Sequence, residues 1–299
     1  MKSTKAQEKR NNHVIGAIYF TLSMALFGIT DAFSKQLSFT IPIAEIVTLR
    51  CLLSALMMLP FLGKMQIRKY TKIHLARSVM YVTALLLCTY GVTKVQIVVA
   101  TIVGFTIPLF TLVFSAILLK EKVRLQRWAA AIIGFCSIYL CSEQKGSIDI
   151  HVVALAISAC IFALMEVFNK MVVNSSDVPL LDSLFFSSLL SGLMAAPLAL
   201  IEWVNPNLQE IALSGALGIL GNVVIFILMI NAYKLTELSS LASYRYLEII
   251  FTTIVGYLWF QEIPSNNIWV AGGIIVFVTA WCTYSEHRSS KNQAKRSLN

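Results

Sequence analysis

The chain has 299 residues, of which 57% are hydrophobic and only 13% charged, and a formal net charge of +9. A soluble domain carries about a quarter of its residues as charges, so this composition excludes one. The basic residues stand in short segments between apolar blocks, where they act as topology signals; that excludes a nucleic-acid-binding role for the net charge.

A helix of roughly 20 apolar residues crosses the hydrocarbon layer, and a helix satisfies its backbone polar groups there without water. Ten such blocks follow one another at 14–37, 43–62, 73–93, 96–119, 127–142, 150–172, 180–202, 211–234, 238–260 and 266–285. They predict an all-α integral membrane protein with short connections and no extramembrane domain. Residues 1–12 and 287–299 read as solvated tails. The first block is long and lacks a small-residue cleavage site, so it is expected to remain as an uncleaved anchor.

In chain order, the first span ends in Asp31-Ala32-Phe33-Ser34-Lys35. The second holds Arg50 and then Leu52-Leu53-Ser54-Ala55-Leu56-Met57-Met58-Leu59-Pro60. The third carries Arg77 near its start, where an interfacial place is expected. Pro108 falls mid-way along the fourth span; it removes one backbone hydrogen bond and is expected to kink the helix, either beside a cavity or for packing alone. The sixth span ends Glu166-Val167-Phe168-Asn169-Lys170, and the eighth contains Asn222 and Asn231, either glue between helices or ligands. The ninth carries Tyr244-Arg245-Tyr246-Leu247-Glu248. Gly272 and Gly273 in the tenth, and Gly134 in the fifth, permit close helix approach. The six cysteines lie in or at the ends of apolar blocks without metal-ligand spacing, and read as small packing residues. No cofactor and no metal site is expected.

The chain repeats itself. Leu52–Pro60 matches Leu189–Pro197 at six of nine positions with an offset of 137, and Glu45 meets Asp182 at that same offset. Asp31–Lys35 and Glu166–Lys170 both read acidic-x-Phe-x-Lys at an offset of 135, and Glu121 and Trp128 meet Glu262 and Trp269 at 141. Five spans per copy is an odd number, so the second copy enters the membrane from the opposite side, which predicts two inverted five-helix repeats at 13–142 and 150–286. Inverted repeats recur in secondary transporters. With the N-terminus inside, 18 Lys and Arg residues fall in cytoplasmic segments and three (Lys35, Lys94, Lys145) outside. By the positive-inside rule both termini then face the cytoplasm of a bacterial inner membrane.

Ionisable side chains within hydrocarbon are costly and raise a functional hypothesis. If the ninth helix starts at 238, Arg245 lies about 10 Å deep and Glu248 about 15 Å deep. Spaced i, i+3, they form either a structural pair or a substrate site. Tyr244 and Tyr246 beside them offer stacking or cation–π surfaces. Asp31 with Lys35, and Glu166 with Lys170, stand at i, i+4 spacing. Each set either anchors a helix end or helps to close one side of a pathway, and both lysines can snorkel. Arg50 is expected to pair with an acid.

These residues carry a family resemblance. The duplicated five-span unit, with the Pro-centred stretch 106–110, Leu118-Leu119-Lys120-Glu121, Trp128 and Gly134, resembles the EamA-type members of the drug/metabolite transporter superfamily over nearly the whole chain. Tyr244–Glu248, Ile107-Pro108-Leu109-Phe110-Thr111-Leu112 and the acidic-to-Lys motifs are similar to the S-adenosylmethionine uptake transporters of obligate intracellular bacteria. That likeness implies import of S-adenosylmethionine, in exchange for S-adenosylhomocysteine. Under it Glu248, Asp31 and Glu166 meet the cationic groups, Arg245 or Arg50 the carboxylate, and Tyr244, Tyr246 and Phe27 the adenine. Lys35, Lys170 and Pro108 would serve gating. An exporter of amino acids or drugs within the same superfamily is the alternative. A membrane enzyme would need a metal constellation, a Gly-x-Ser-x-Gly elbow or a phosphate loop, and the sequence has none of these. A receptor or scaffold does not call for an inverted duplication. The expected partners are a small-molecule substrate and the lipid bilayer; oligomeric state is left open.

Overall fold

The computed structural model describes residues 2–61, 67–118, 149–175, 180–235 and 247–278, together with 128–129, 132–133, 136, 244–245 and 280–281. Every regular element among them is helical and none is a strand. Most of the expected fifth span, Glu121, Tyr246 and the Lys170 side chain lie outside the described residues.

The elements are α1 (Lys2–Leu37), α2 (Ile43–Met58), α3 (Ile67–Lys94), α4 (Ile97–Gly104), α5 (Ile107–Leu118), α6 (Ile150–Ser175), α7 (Leu180–Ala199), α8 (Leu208–Ile219), α9 (Ile225–Leu235), α10 (Leu247–Phe260) and α11 (Asn266–Val278). Six stretches are long and apolar enough to cross a bilayer: Val14–Leu37, Lys72–Lys94, Ile97–Leu118, Ile150–Phe168, Asp182–Ala199 and Leu208–Leu235. Two shorter apolar helices are α10 and α11. Large hydrophobic side chains such as Ile18, Leu56, Ile201, Leu258 and Phe277 stand exposed, which suits a surface that faces lipid.

Two spans are interrupted. Between α4 and α5 the chain makes a turn at Phe105 and Thr106, immediately before Pro108. Proline has no N–H to give the carbonyl four residues back, and its ring crowds that carbonyl, here the one of Gly104. The helix therefore ends at Gly104 and restarts, with Leu109 and Phe110 both bonding to the Thr106 carbonyl, at 2.9 and 3.0 Å. Between α8 and α9, residues Leu220–Val224 form one π-helical turn. The extra residue in such a turn bulges the backbone, and π-turns often mark functional sites.

α3 packs along α6, α2 along α7, and α1 along α9 and α10; α2 also meets α8, α3 meets α7, and α6 meets α4 and α5. An apolar core at one end gathers Val98, Ile102 and Val103 of α4 with Leu155 of α6 and Ile268 and Ile275 of α11. The α2–α8 crossing is close because Gly218 lies against the α2 backbone: a Cβ there would stand 2.2 Å from the Arg50 carbonyl oxygen. Backbone cannot yield as a side-chain tip can. Gly218→Ala is therefore expected to destabilise the purified protein by about 1–3 kcal/mol, read as a lowered thermal midpoint in detergent, whereas an unchanged midpoint would show that the crossing is looser than this geometry.

Candidate functional site

Among the described residues, three groups of polar side chains inside the bundle bear on a candidate site. The first lies where α1 ends. Lys35 is 8% exposed; its ammonium donates to the Glu262 carboxylate at 2.5 Å and to the Val95 carbonyl at 2.5 Å, and stands 5.3 Å from the centre of the Phe260 ring. The other Glu262 oxygen accepts the Ile97 N–H at 2.8 Å, so it satisfies the start of α4, where the N-cap Gln96 gives no side-chain bond. Gln261 holds a left-handed backbone with φ 55° to turn Glu262 back on α10. A non-glycine residue in that conformation costs about 1–3 kcal/mol and persists only where its surroundings hold it. Gly256 makes room, since a Cβ there would meet Glu262 Oε2 at 2.8 Å. One carboxylate thus ties α1, α4 and the end of α10 together.

The second group sits at the π-turn. Arg50 of α2 donates through Nη2 to Asn222 Oδ1 at 3.3 Å, and Tyr81 of α3 donates its hydroxyl to that oxygen at 2.7 Å. Asn222 and Arg50 are 5% and 8% exposed. Asp31 of α1, Cys51, Tyr81 and Cys88 all lie within electrostatic reach of the Arg50 guanidinium. The expected acid partner of Arg50 is thus a neighbour, Asp31, while its hydrogen bond goes to an amide. Lys35 turns from Asp31, its i, i+4 neighbour, to Glu262 across the bundle.

The third group surrounds α10. Residues 244–245 form a tight 3₁₀ turn, and Glu248 stands in the first turn of α10, where a carboxylate complements the positive end of the helix dipole. Arg245 and Asp31 lie within electrostatic reach of Glu248. Arg245 Nε is buried without a hydrogen-bond partner among the described residues. Tyr244 and Phe27 pack in one cluster with Phe20, Met24, Met229 and Phe251. Glu166 is exposed and accepts a hydrogen bond from Thr111 at 2.9 Å; both it and Arg245 lie within electrostatic reach of Tyr233. Asp31, Glu248, Arg245 and Arg50 therefore share one electrostatic neighbourhood, with Phe27 and Tyr244 adjoining it and Glu166 at its margin.

Tyr81 escapes a reading by sequence, and two other participants are read only in part. Tyr81 is one aromatic in an apolar span. Asn222 reads equally well as helix glue, although Gly221 before it is a hint of close approach. Glu262 stands out only as the repeat partner of Glu121. Among the described residues no cluster of three or more metal-ligating side chains occurs.

A paired acid–base set in the middle of an apolar bundle, next to aromatic faces and broken helices, is what a path for a polar solute requires. The sequence matches the EamA-like transporter family over residues 14–142 and again over 150–284. The chain belongs to that family. It is a multi-pass membrane transporter of a small molecule, not an enzyme. It is 29% identical over 283 residues to the S-adenosylmethionine uptake transporter of Rickettsia prowazekii, covering 93% of this chain and 95% of that one. It is 25% identical over 272 residues to the pseudopaline exporter CntI of Pseudomonas aeruginosa, covering 88% and 93%. A solved crystal structure superimposes with a TM-score of 0.60 at 17% identity, covering 93% of this transporter and 98% of that chain, which speaks for the fold alone.

Proposed function

We propose that this transporter imports S-adenosylmethionine by alternating access, in exchange for S-adenosylhomocysteine, through ten membrane helices arranged as two inverted five-helix repeats. The full-length likeness to an S-adenosylmethionine uptake transporter carries the substrate. The chemistry of the central groups is compatible with it: Asp31, Glu248 and Glu166 suit the sulfonium and ammonium, Arg50 or Arg245 the carboxylate, and Phe27, Tyr244 and Tyr246 the adenine.

Helix pairing supports the repeats, 13–142 and 150–286. Under exchange of the copies, α1 against α8, α9 and α10 becomes α6 against α3, α4 and α5, and α2 against α8 becomes α7 against α3; all of these pairs occur. Glu45 and Asp182 both stand in the first turn of their helices. α5 starts at Ile107 and α10 is described from Leu247, and an offset of 141 sets Ile107 against Glu248. By sequence, Pro108 and the Arg245–Glu248 stretch thus fall at corresponding places in the two copies.

With both termini cytoplasmic, the Lys35–Glu262 seam closes the outer end of the path, and Lys170 stands by sequence at the corresponding inner position. Two inverted copies give inward- and outward-open states of similar packing, so a modest difference in substrate affinity can drive exchange.

Cells that lack a route for S-adenosylmethionine are expected to accumulate the labelled compound saturably once they express this chain, and unlabelled S-adenosylhomocysteine is expected to compete. No accumulation above control cells would overturn the reading. Depletion of a preloaded amino acid or drug would favour the exporter alternative.

A further inference from the structure

Among the described residues, two buried donors stand without partners at the π-turn. Tyr81 and Arg50 both donate to Asn222 Oδ1, which fixes the amide orientation and leaves Nδ2 pointing away from them. Nδ2 has no hydrogen-bond partner among the described residues, and neither has Arg50 Nε. The Cys51 thiol is in hydrogen-bonding reach of the Asn222 side chain, but a thiol is a weak acceptor. Buried N–H groups left unpaired are costly. Here the two belong to side chains already joined by a 3.3 Å contact.

The backbone protects this arrangement. A Cβ at Gly221 would stand 2.9 Å from Arg50 Nη2, so glycine leaves the guanidinium its place, and the π-turn sets Gly221 and Asn222 side by side. Asp31 lies within electrostatic reach of Arg50 and of Glu248. A free anion entering here would add negative charge next to Asp31. A zwitterion would not, because it brings its own cation.

We propose that Asn222 Nδ2 and Arg50 Nε form the subsite for the carboxylate of an α-amino acid head group, with Asp31 taking its ammonium and Tyr81 acting as the positioning residue that holds the amide. Arg245 is then left to the remainder of the substrate. The proposal rests on the reading of this cluster as part of the transport path, and it selects Arg50 over Arg245 for the carboxylate. It also makes Asn222 a determinant of specificity: a site built to donate to a group rejects the analogue that lacks it, since the donors then stay unpaired.

The test uses the full chain in nanodiscs and measures apparent affinity by ligand-dependent thermal stabilisation. Two probe pairs are compared: S-adenosylmethionine with its decarboxylated form, and L-methionine with 3-(methylthio)propylamine. The wild type is expected to prefer the carboxylate-bearing member of at least one pair by about tenfold or more. Asn222→Asp, which replaces the donor by a negative acceptor, is expected to cut that ratio at least tenfold. Tyr81→Phe, which frees the amide to rotate, is expected to cut it less and serves if Asn222→Asp does not fold. No carboxylate preference in either pair, or a preference that survives both variants, would overturn the subsite. S-adenosylmethionine binding with no carboxylate preference in either pair would overturn the subsite and leave the uptake reading standing. Preference in the methionine pair, lost in the variants, with no binding of S-adenosylmethionine, would establish the subsite and remove S-adenosylmethionine as the substrate.

Discussion

Glu248→Gln and Arg245→Ala are each expected to lower uptake about 10- to 100-fold while the protein stays folded and inserted. A charge-assisted hydrogen bond is worth about 1.5–3 kcal/mol, and each 1.4 kcal/mol is about tenfold. Glu248 sits in the first turn of α10 with Arg245 and Asp31 in electrostatic reach. Glutamine keeps the shape and removes the charge that would meet a substrate cation. Alanine at 245 removes a guanidinium whose Nε has no partner among the described residues. That unpartnered Nε adds nothing to the resting fold, so the loss should register first in transport. Initial uptake rates, normalised to monodisperse protein, check this. Unchanged rates in both variants would show that the pair is dispensable; loss of folded protein in both would make it a structural brace.

Lys35→Met is expected to open the outer end of the path. Removing one partner of a buried ion pair costs about 3–5 kcal/mol because the other charge is left unpaired. Here it strands Glu262, which also caps the start of α4. Such a bias moves a two-state equilibrium by about two to four orders of magnitude. Ser34, one residue earlier and 5% exposed, reports it. A Ser34→Cys reporter should react with a membrane-impermeant thiol reagent at least tenfold faster in intact cells when Lys35 is Met. An equal rate would show that the Lys35–Glu262 pair is a brace and not a gate.

The apolar blocks were legible because hydrocarbon leaves a chain so little choice. The first span, the third, the fourth and the sixth to eighth are found as long apolar helices. The duplication is legible at Leu52–Pro60 and Leu189–Pro197 because identical residues survive there. What a sequence hides is partnership across the bundle. Lys35 and Glu262 are 227 residues apart, and Asp31, four residues away, looks the nearer partner. The break before Pro108 follows from its missing N–H, but the π-turn at Leu220–Val224 has no such marker. Tyr81 was hidden for the same reason as Glu262, and Asn222 was legible only as glue or ligand: each acquires its meaning from the residue that tertiary packing sets against it.

The two ends of the path and its centre make one proposal: a seam at Lys35 and Glu262, charges at Asp31, Arg50, Arg245 and Glu248, and inverted halves that exchange one state for the other. Counterflow in proteoliposomes tests it most directly. Vesicles holding the purified chain and preloaded with S-adenosylhomocysteine should take up labelled S-adenosylmethionine saturably, and faster than vesicles loaded with buffer. Uptake no greater than that of protein-free liposomes, whatever lies inside, would contradict it.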